Sequence, residues 1–384
     1  MTIVLCGGGS GGHITPLLPV ALELRQHHPD VRLIYVGERG GKFASIATKS
    51  KLFDEYHFIS AGKLRRYHGE SFITKFFDVK TNLLNIRDMF RMFAGLVQSY
   101  RLLKRLKPRA LLLKGGFVCV PLAVAAQARH IPYITHDSDA LPGLSNRIAA
   151  RWARYHATAM PAQYYDYPPH SIQVVGVPTD NRFKAYSKAE QAILRGKYGI
   201  PANAPIILVT GGSNGARRLN EAVIAMLPRL LTDQPTLHVL HQIGAGNNDQ
   251  SKAFPKELAD RVTFFDFTPE LFHMSAIADV IITRAGATTI ADFSAQGKAC
   301  IIIPNPYLTG GHQLRNAQVY ADAKAAVIVQ EPALTDDSDT LYKAAKQLLQ
   351  NPAKRADLAK NLHSLTPNQS AAAVLAKLLL EIAA

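Results

Sequence analysis

Short apolar runs alternate with segments of helical periodicity along most of the chain. Runs such as 2–6 and 205–210 are almost entirely apolar, whereas the stretches between them place apolar residues three and four positions apart. This alternation is typical of βαβ units that build a parallel sheet. The predicted strands are 2–6, 31–36, 111–114, 131–135 and 172–175 in the first half, and 205–210, 237–241, 262–265, 279–283, 299–304 and 326–329 in the second.

The two halves of the chain begin with the same pattern. "TIVLCGGGSGGHITP" from Thr2 and "PIILVTGGSNGARRLN" from Pro205 both run from a strand through a glycine-rich turn into a helix. At 384 residues the chain exceeds what one hydrophobic core usually supports. We therefore predict an α/β fold of two Rossmann-like, doubly wound parallel-sheet domains, with ligands in an interdomain cleft outside the carboxyl ends of the strands. The predicted parts are a first domain at 1–178, a second at 179–365, and a C-terminal helix at 366–384 that packs back on the first domain.

The composition is that of a globular protein in a reducing compartment. No stretch reaches the roughly 18 consecutive apolar residues that a membrane span needs, and no basic region or cleavage site precedes the first strand. The three cysteines, Cys6, Cys119 and Cys300, are far apart in the sequence. They suit reduced core thiols better than disulfides or a metal cage. We expect a cytosolic protein.

The formal net charge of +15 is concentrated in one part of the chain. Between Lys63 and Arg109, twelve lysines and arginines stand against three acids. A basic concentration of this kind attracts polyanions, either nucleic acid or an anionic membrane surface.

The basic region is also rich in apolar residues. From Ile86 to Leu106 these recur at helical spacing, and we expect most of that stripe to lie in the core. The preceding stretch "SFITKFFDVKTNLL" (71–84) carries more aromatics beside cations than one helix face can bury. This combination favours an interfacial membrane patch, and no nucleic-acid-binding motif accompanies it. The predicted membrane patch consists of Phe72, Lys75, Phe76, Phe77 and Lys80.

The first glycine turn resembles a dinucleotide-binding fingerprint, yet its context differs. Gly7, Gly9 and Gly12 have the Gly-x-Gly-x-x-Gly spacing, which alone is weak evidence. A dinucleotide fold runs the third glycine directly into the helix, whereas here Thr15-Pro16 predict an N-cap followed by proline at the first helical position. His13 therefore lies in the loop, where it either acts as a general base or only caps the helix or satisfies a backbone group.

Two further glycine turns precede helices in the second half. "TGGSNGARRLN" (210–220) and "TRAGATTIADF" (283–293) each expose backbone N–H groups at a helix N-terminus, as a diphosphate cradle does. Thr288 and Thr289 can donate hydroxyls to phosphate, and Asp292 can accept from a ribose diol. For a single such loop, a plain tight turn is the alternative.

Two other stretches carry candidate ligands. His312 and Gln313 in "PNPYLTGGHQLRNAQVY" offer directional hydrogen bonds that can read sugar hydroxyls, although a buried structural glutamine fits equally well. "DSD" at 137–139 has the form of an Asp-x-Asp metal site and can hold Mg²⁺. The glycine loops already supply counter-charge for a diphosphate, which favours a site without a metal.

Seven motifs taken together resemble the MurG family, the undecaprenyldiphospho-muramoylpentapeptide β-N-acetylglucosaminyltransferases. The motifs occur in the family's order from residue 2 to the C-terminal helix; they are "GGGSGGHITP", "KGGFVCVP", "HDSDALPGLSNRIAA", "GGSNGARRLN", "HQIGAG", "TRAGATTIADF" and "GGHQLRNA". The resemblance implies the GT-B fold and an inverting transfer of GlcNAc from UDP-GlcNAc to the C4 hydroxyl of MurNAc in lipid I, which yields lipid II and UDP. It also implies a peripheral protein on the anionic, cytoplasmic side of the cell membrane that binds no nucleic acid and requires no cofactor or divalent metal.

The resemblance also assigns roles to individual residues. It implies that His13 is the catalytic base and that the acceptor diphosphate lies at Gly8, Gly9, Gly115 and Gly116. The implied donor-binding residues are Ser10, Gly11, Gly12, Asp139, Arg182, Gly212, Ser213, Phe267, Ala287, Thr288, Thr289, Asp292, His312 and Gln313.

The chain differs from the commonest family pattern in two motifs, and one further position is variable in the family. The family's Gly-Asn-Pro-x-Arg is replaced by Gly176-Val177-Pro178-Thr179-Asp180, and Arg182 is the nearby cation that can substitute. The ribose-binding glutamate is shortened to Asp292, and Asp139 stands where the family has asparagine or aspartate. Three alternatives remain: a GT-B transferase acting on another lipid, a UDP-GlcNAc 2-epimerase, and a nicotinamide oxidoreductase.

Overall fold

The computed structural model describes residues 1–63, 79–212, 215–247, 251, 254–336, 339–365 and 369–384. The chain divides into two compact units. Unit 1 comprises Met1–Asp180 and Pro367–Ala384, and unit 2 comprises Asn181–Thr366. In the part that the structure describes, no helix is long and apolar enough to cross a membrane. Four residues of the predicted membrane patch, Phe72, Lys75, Phe76 and Phe77, lie outside the described residues, as does the side chain of Lys80.

Unit 1 is built on a parallel sheet whose strand order is β3-β2-β1-β4-β5-β6-β7. Helices cover both faces, and a separate apolar core fills the space on each side. The strands are β1 (Thr2–Gly7), β2 (Arg32–Glu38), β3 (Glu55–Ile59), β4 (Ala110–Gly115), β5 (Tyr133–Asp137), β6 (Tyr155–Thr158) and β7 (Ile172–Val174). The α-helices are α1 (Leu17–His27), α2 (Ala44–Ser50), α3 (Val79–Leu106), α4 (Cys119–Ala128) and α5 (Leu144–Ala149).

Unit 2 repeats the arrangement with strand order β10-β9-β8-β11-β12-β13. Its strands are β8 (Ile206–Thr210), β9 (His238–Gln242), β10 (Val262–Phe265), β11 (Val280–Thr283), β12 (Cys300–Ile302) and β13 (Val327–Ile328). Its helices are α6 (Lys188–Lys197), α7 (Arg217–Asp233), α8 (Leu271–Ile277), α9 (Ala287–Ala295), α10 (His312–Asp322), α11 (Ala333–Asp336), α12 (Asp339–Gln350) and α13 (Pro352–Ser364). All six strands predicted for this half are present.

The C-terminal helix, α14 (Ala371–Ala383), belongs to unit 1. Leu375 and Leu379 are fully buried in the same core cluster as residues of α1 and β1. The Arg109 guanidinium donates to the carbonyl oxygens of Ala383 and Ala384, at 2.9 and 2.8 Å. Apolar burial and these hydrogen bonds hold the helix against the sheet.

Two strands of unit 1 were not predicted. Strand β3 is the edge strand of the sheet, next to β2, and four of its five residues are only half-buried. An edge strand needs fewer aliphatic residues, and its sequence "EYHFI" contains only one. Strand β6 has four residues and buries His156 and Thr158. In both cases polar residues interrupt the apolar run by which a buried parallel strand is recognised.

The predicted start of α1 was wrong. The helix begins at Leu17 with Pro16 as the N-cap residue, and the Thr15 hydroxyl donates to the Gly11 carbonyl oxygen instead of capping the helix. Gly11–His13 form a separate 3₁₀ turn. Several N–H groups between Gly11 and Leu17 bond backward within this turn, which delays the start of the α-helix.

The expectation that the α3 stripe lies mostly in the core was also wrong. Leu103 and Leu106 are buried, but Met89, Phe90, Phe93, Val97 and Tyr100 are exposed. The buried face of the helix instead presents Asp88, Gly95 and Ser99 together with Leu102. Close contact with the strand-end segment 59–62 requires small residues there: a Cβ atom on Gly95 would lie 2.1 Å from the Ser60 carbonyl oxygen.

Each sheet has one point at which the chain changes direction of winding. In unit 1 this point lies between β1 and β4, and in unit 2 it lies between β8 and β11. In doubly wound sheets, ligands bind outside the carboxyl ends of the strands at this position. The strands at these two positions are β1, β4, β8 and β11, and a glycine-rich turn follows each of them.

Candidate functional site

In unit 1, the two glycine-rich turns converge on the side chain of His13. The His13 Nδ1 atom lies 2.9 Å from the Gly8 carbonyl oxygen and 3.2 Å from Ser10 Oγ. A Cβ atom on Gly115 would lie 2.9 Å from His13 Cδ2 and 3.1 Å from Nε2. The imidazole is half-buried, so it is held in place but reaches the surface of the unit.

The hydrogen bond to Gly8 selects the tautomer of the neutral ring. A carbonyl oxygen only accepts, so Nδ1 carries the proton in this contact and Nε2 keeps its lone pair. An imidazole whose Nδ1–H is fixed by a carbonyl presents a basic Nε2, as a general base requires.

The other predicted residues of the first loop lie around this histidine. Gly8 donates its N–H to the Gly115 carbonyl oxygen at 3.3 Å, so its backbone ties the two turns together. Gly9 and Gly116 adopt left-handed conformations, with φ of 81° and 84°. Ser10, Gly11 and Gly12 lie in the loop and the 3₁₀ turn between Gly9 and His13.

A buried polar cluster lies behind the histidine, at the carboxyl ends of β4 and β5. Asn146 in α5 donates from Nδ2 to Asp137 Oδ1 at 2.7 Å and to the His136 carbonyl oxygen at 3.0 Å. Tyr167 donates its hydroxyl to Asp137 Oδ2 at 2.9 Å. Lys114 donates to Ser138 Oγ at 2.9 Å.

Burial dominates the electrostatics of this cluster. It lowers the pKa of the Lys114 ammonium to about 8, although the charges of Asp137 and Asp139 favour protonation. It raises the pKa of Asp137 to about 6, although hydrogen bonds from Asn146 and Tyr167 favour the carboxylate. Burial also holds the pKa of His136 well below its usual range. Such shifts are concentrated at functional sites.

The Asp137–Asp139 stretch takes part in several hydrogen bonds within the unit. Both carboxylate oxygens of Asp137 accept hydrogen bonds, from Asn146 and Tyr167. Asp139 is half-buried, and its carbonyl oxygen accepts from the Tyr165 hydroxyl. Among the described residues, no group of three or more His, Cys, Asp or Glu side chains could hold a metal ion.

In unit 2, two glycine turns lie at adjacent strands. The Thr210 hydroxyl donates to Gln242 Oε1 at 2.7 Å and accepts from the Gly212 N–H at 3.2 Å, which fixes the turn after β8. Ser213 lies outside the described residues. After β11, Gly286 is the N-cap of α9, so the helix begins with the predicted residues Ala287, Thr288 and Thr289.

The α9 end of this site has the geometry of an anion site. The first N–H groups of a helix have no partner within the helix, and its N-terminus carries about half a positive charge. Thr288 and Thr289 are half-buried in the first turn, and Asp292 follows one turn later, also half-buried. Asn316 in α10 donates to the Ala285 carbonyl oxygen at 2.9 Å and fixes the turn.

A buried ion pair between Arg284 and Glu331 lies next to this turn. Arg284 precedes the turn and bonds Glu331, and both side chains are more than nine-tenths buried. Arg284 also donates to the Ile303 carbonyl oxygen at 3.3 Å. The pair links the ends of β11 and β12 with the segment after β13.

Four other predicted residues lie around the unit 2 sheet. His312 begins α10, next to Gln313, which is buried and accepts at Oε1 from the Asn305 N–H at 2.9 Å. Phe267 follows β10 at the sheet edge and is exposed. The Arg182 guanidinium lies 4.6 Å from the ring centre of Phe272 in α8. Arg182 therefore stacks on an aromatic ring of the same unit.

Sequence reasoning named Asp137 and Asp139 but missed Lys114, Asn146 and Tyr167 as members of the polar cluster of unit 1. Lys114 is a charge inside the strand pattern "ALLLKGG", and "ITHD" ends a strand in two polar residues. Charged residues are almost never fully buried without a partner. A lysine in an otherwise apolar strand was therefore a usable indication, whereas nothing local marks Asn146.

Comparison with known proteins gives matches in both units. The N-terminal domain model of glycosyltransferase family 28 matches residues 3–158, and the C-terminal domain model of that family matches residues 206–379. The UDP-N-acetylglucosamine–N-acetylmuramyl-(pentapeptide) pyrophosphoryl-undecaprenol N-acetylglucosamine transferase of Lachnoclostridium phytofermentans is 33% identical over 360 residues, which cover 94% of this chain and 94% of the relative.

Two solved structures share the fold. MurG of Acinetobacter baumannii has a TM-score of 0.72 at 21% identity and covers 99% of each chain. The UDP-GlcNAc 2-epimerase of Neisseria meningitidis, solved with UDP-GlcNAc bound, has a TM-score of 0.65 at 13% identity and covers 100% of this chain and 99% of its own.

Two doubly wound units with glycine turns at their switch points, matched by both family 28 domain models, define a glycosyltransferase of the GT-B fold. The protein is thus a hexosyltransferase. Within this class, the chain belongs to the MurG family. The predicted fold class and family are confirmed.

Proposed function

We propose that this chain transfers GlcNAc from UDP-GlcNAc to the C4 hydroxyl of MurNAc in lipid I, with inversion, giving lipid II and UDP. Family membership supports the reaction, and the fixed tautomer of His13 is the observation that supports its chemistry. The 2-epimerase alternative shares only the fold, at 13% identity.

His13 acts as the base. Its Nε2 takes the proton from the acceptor C4 hydroxyl as that oxygen attacks the anomeric carbon of GlcNAc. The bond between that carbon and the phosphate oxygen breaks in the same displacement, and UDP leaves with the electron pair. The proton stays on Nε2, where Nδ1–H bonded to Gly8 keeps the imidazolium oriented.

The first glycine loop and the turn after β4 bind the acceptor diphosphate. The backbone at Gly9, Gly115 and Gly116 has positive φ, which glycine adopts without strain, and turns of this kind can present successive N–H groups to an anion. Gly8 uses both its N–H and its carbonyl within the unit, so its part is to hold the loop and His13.

The α9 N-terminus in unit 2 binds the diphosphate of the donor. N–H groups of Ala287 to Thr289 and the threonine hydroxyls stabilise the charge that develops on UDP, and Asp292 accepts from the ribose. These groups supply the counter-charge, so transfer requires no divalent metal. The transfer rate should persist in the presence of EDTA, and adding Mg²⁺ should not increase it. A transfer rate that depends on added metal would contradict this.

The exposed face of α3 binds the anionic, cytoplasmic surface of the membrane. Ile86, Phe90, Phe93, Val97 and Tyr100 follow one another at spacings of four and three, so they share one helix face. Phe90 and Phe93 are each 67% exposed. The same helix carries the exposed cations Arg101, Lys104 and Arg105, and Arg87 and Arg91 flank the apolar residues.

This arrangement fits a lipid surface. Apolar side chains enter the headgroup boundary while flanking cations contact anionic headgroups, and the helix lies in the interface plane. A lipid-linked acceptor also requires the enzyme to work at a membrane.

The decisive experiment is an assay with purified lipid I and labelled UDP-GlcNAc. Appearance of labelled lipid II with equimolar UDP supports the proposal. Transfer to diacylglycerol but not to lipid I would identify another acceptor. Consumption of UDP-GlcNAc without any acceptor would indicate the epimerase reaction instead.

A further inference from the structure

The Asn146 side chain is buried with one polar atom unused. Only 5% of the residue is exposed, and both hydrogens of its amide are committed to Asp137 and to the His136 carbonyl oxygen. These two acceptors fix the orientation of the amide group, so Oδ1 points away from Asp137 and the His136 carbonyl oxygen. Within the part of the chain that the structure describes, Oδ1 receives no hydrogen bond.

This unused oxygen borders the same space as the base. A Cβ atom on Gly115 would lie 3.3 Å from Asn146 Oδ1 and 3.1 Å from His13 Nε2, so both atoms border the same point. Only glycine at 115 leaves room for this approach. A buried carbonyl oxygen without a donor destabilises the folded state, so its presence at this position calls for an explanation.

We propose that Asn146 is a positioning residue for the base, whose Oδ1, the negative end of the amide dipole, stabilises the imidazolium that forms when His13 Nε2 takes the proton. Asp137 holds the amide in that orientation through its 2.7 Å hydrogen bond. The inference rests on the proposed role of His13. The stabilisation acts on the protonated state of the base, so it favours transfer of the proton from the acceptor.

The charged surroundings do not supply this contact themselves. Asp137 faces Asn146 Nδ2 and Tyr167, while Lys114 bonds Ser138. Asp137, Asp139, Lys114, His136 and Tyr167 are titratable groups of the cluster among the described residues, and Asn146 stands between Asp137 and the imidazole.

The test measures the pKa of His13 by NMR titration of the labelled imidazole in the full chain without substrate. The spectrum of H13A assigns the resonance. In Asn146→Ala the pKa of His13 should fall by about one unit, because the protonated ring loses the nearby carbonyl dipole. In Asn146→Asp it should rise, because the new carboxyl and Asp137 share one proton and the remaining negative charge lies closer to the imidazole than in the unaltered chain. The acid limb of the kcat/KM profile should move in the same two directions, with the KM for UDP-GlcNAc unchanged.

Tyr133→Phe is the matched control. Its hydroxyl donates to the Ala149 carbonyl oxygen at 2.6 Å, so this variant also removes a buried hydrogen bond between β5 and α5. It should lower Tm without moving the pKa of His13.

An unchanged pKa of His13 in a folded Asn146 variant would overturn the proposal, and Asn146→Asp carries the test if Asn146→Ala does not fold. The outcome is separable from the proposed function. If the pKa moves but H13A still transfers GlcNAc, the contact stands and the assignment of the base is wrong.

Discussion

Gly116 lies directly against the carbonyl group of Gly8. A Cβ atom built on Gly116 would lie 2.1 Å from the Gly8 carbonyl oxygen and 3.3 Å from His13 Nδ1, the two atoms that hydrogen-bond each other. The turn after β4 therefore packs directly against the hydrogen bond that sets the His13 tautomer.

Gly116→Ala should destabilise the protein and impair transfer together. The residue has φ of 84°, and the added methyl group would meet backbone, which cannot move aside as a side chain can. We expect a loss of roughly 2–4 kcal/mol in the free energy of unfolding, with reduced kcat. Urea unfolding and the transfer assay measure both.

Gly143→Ala is the control for that substitution. Gly143 has φ of −62°, and a Cβ atom there would have no neighbour within 4 Å. It should cost less than about 1 kcal/mol. Equal losses in the two variants would show that the contact with Gly8 does not matter.

His13→Ala should abolish most turnover and leave donor binding intact. Loss of a positioned general base lowers kcat by about 10²–10⁴, whereas the KM for UDP-GlcNAc stays the same because the donor diphosphate is assigned to unit 2. His27→Ala, at an exposed histidine of α1, should retain full activity. A His13→Ala enzyme with normal kcat would remove His13 as the base.

The double variant Phe90→Ser/Phe93→Ser should bind membranes less well. Each substitution removes an exposed ring from the apolar face of α3, and together they should reduce the partition onto phosphatidylglycerol vesicles on the order of tenfold or more. Raised salt should weaken binding of the unaltered protein, because it screens the cations of α3. Vesicle sedimentation measures both effects.

Ile193→Ser provides the comparison for membrane binding. Ile193 is 74% exposed but lies on α6 of unit 2, away from the basic helix in sequence. Its replacement should leave vesicle binding unchanged. If both proteins sediment like the unaltered chain, α3 is not the membrane-binding surface.

Asp137 should make the stability depend on pH between about 4 and 6. Its pKa is raised to about 6 in the folded chain from 3.8, so the folded state binds this proton more tightly than the unfolded state does. The Asp137 contribution to the free energy of unfolding therefore falls as pH rises through this window, by roughly 3 kcal/mol.

Asp137→Asn should remove that dependence. Urea unfolding at several pH values should show the variant gaining stability relative to the unaltered chain as pH rises from 4 to 6. A constant difference between the two proteins over this range would show that Asp137 is not titrating there.

The sequence alone determined the units that local patterns encode. Apolar runs predicted eleven strands in two parallel sheets, and the glycine turns predicted where α9 begins, because strand burial and turn chemistry leave their mark on adjacent residues. The combination of motifs also identified the family, since each motif is a short contiguous stretch.

Only the tertiary structure decided which face of α3 is exposed. Helical spacing is the same whether an apolar face packs on protein or contacts a membrane. The spacing therefore predicted that Phe90 and Phe93 lie in the core, whereas both are exposed. Strands β3 and β6 were missed for a related reason: their burial depends on neighbours in the sheet rather than on their own composition.

The meeting of His13, Gly115 and Asn146 also required the fold. His13 lies about a hundred or more positions before Gly115 and Asn146 in the chain, and no local pattern links the three residues. They meet because β1 and β4 are adjacent in the sheet and α5 follows β5, so the carboxyl ends of three strands share one edge. Strand order is set by packing of the whole unit, and it is this order that places a buried amide beside the base.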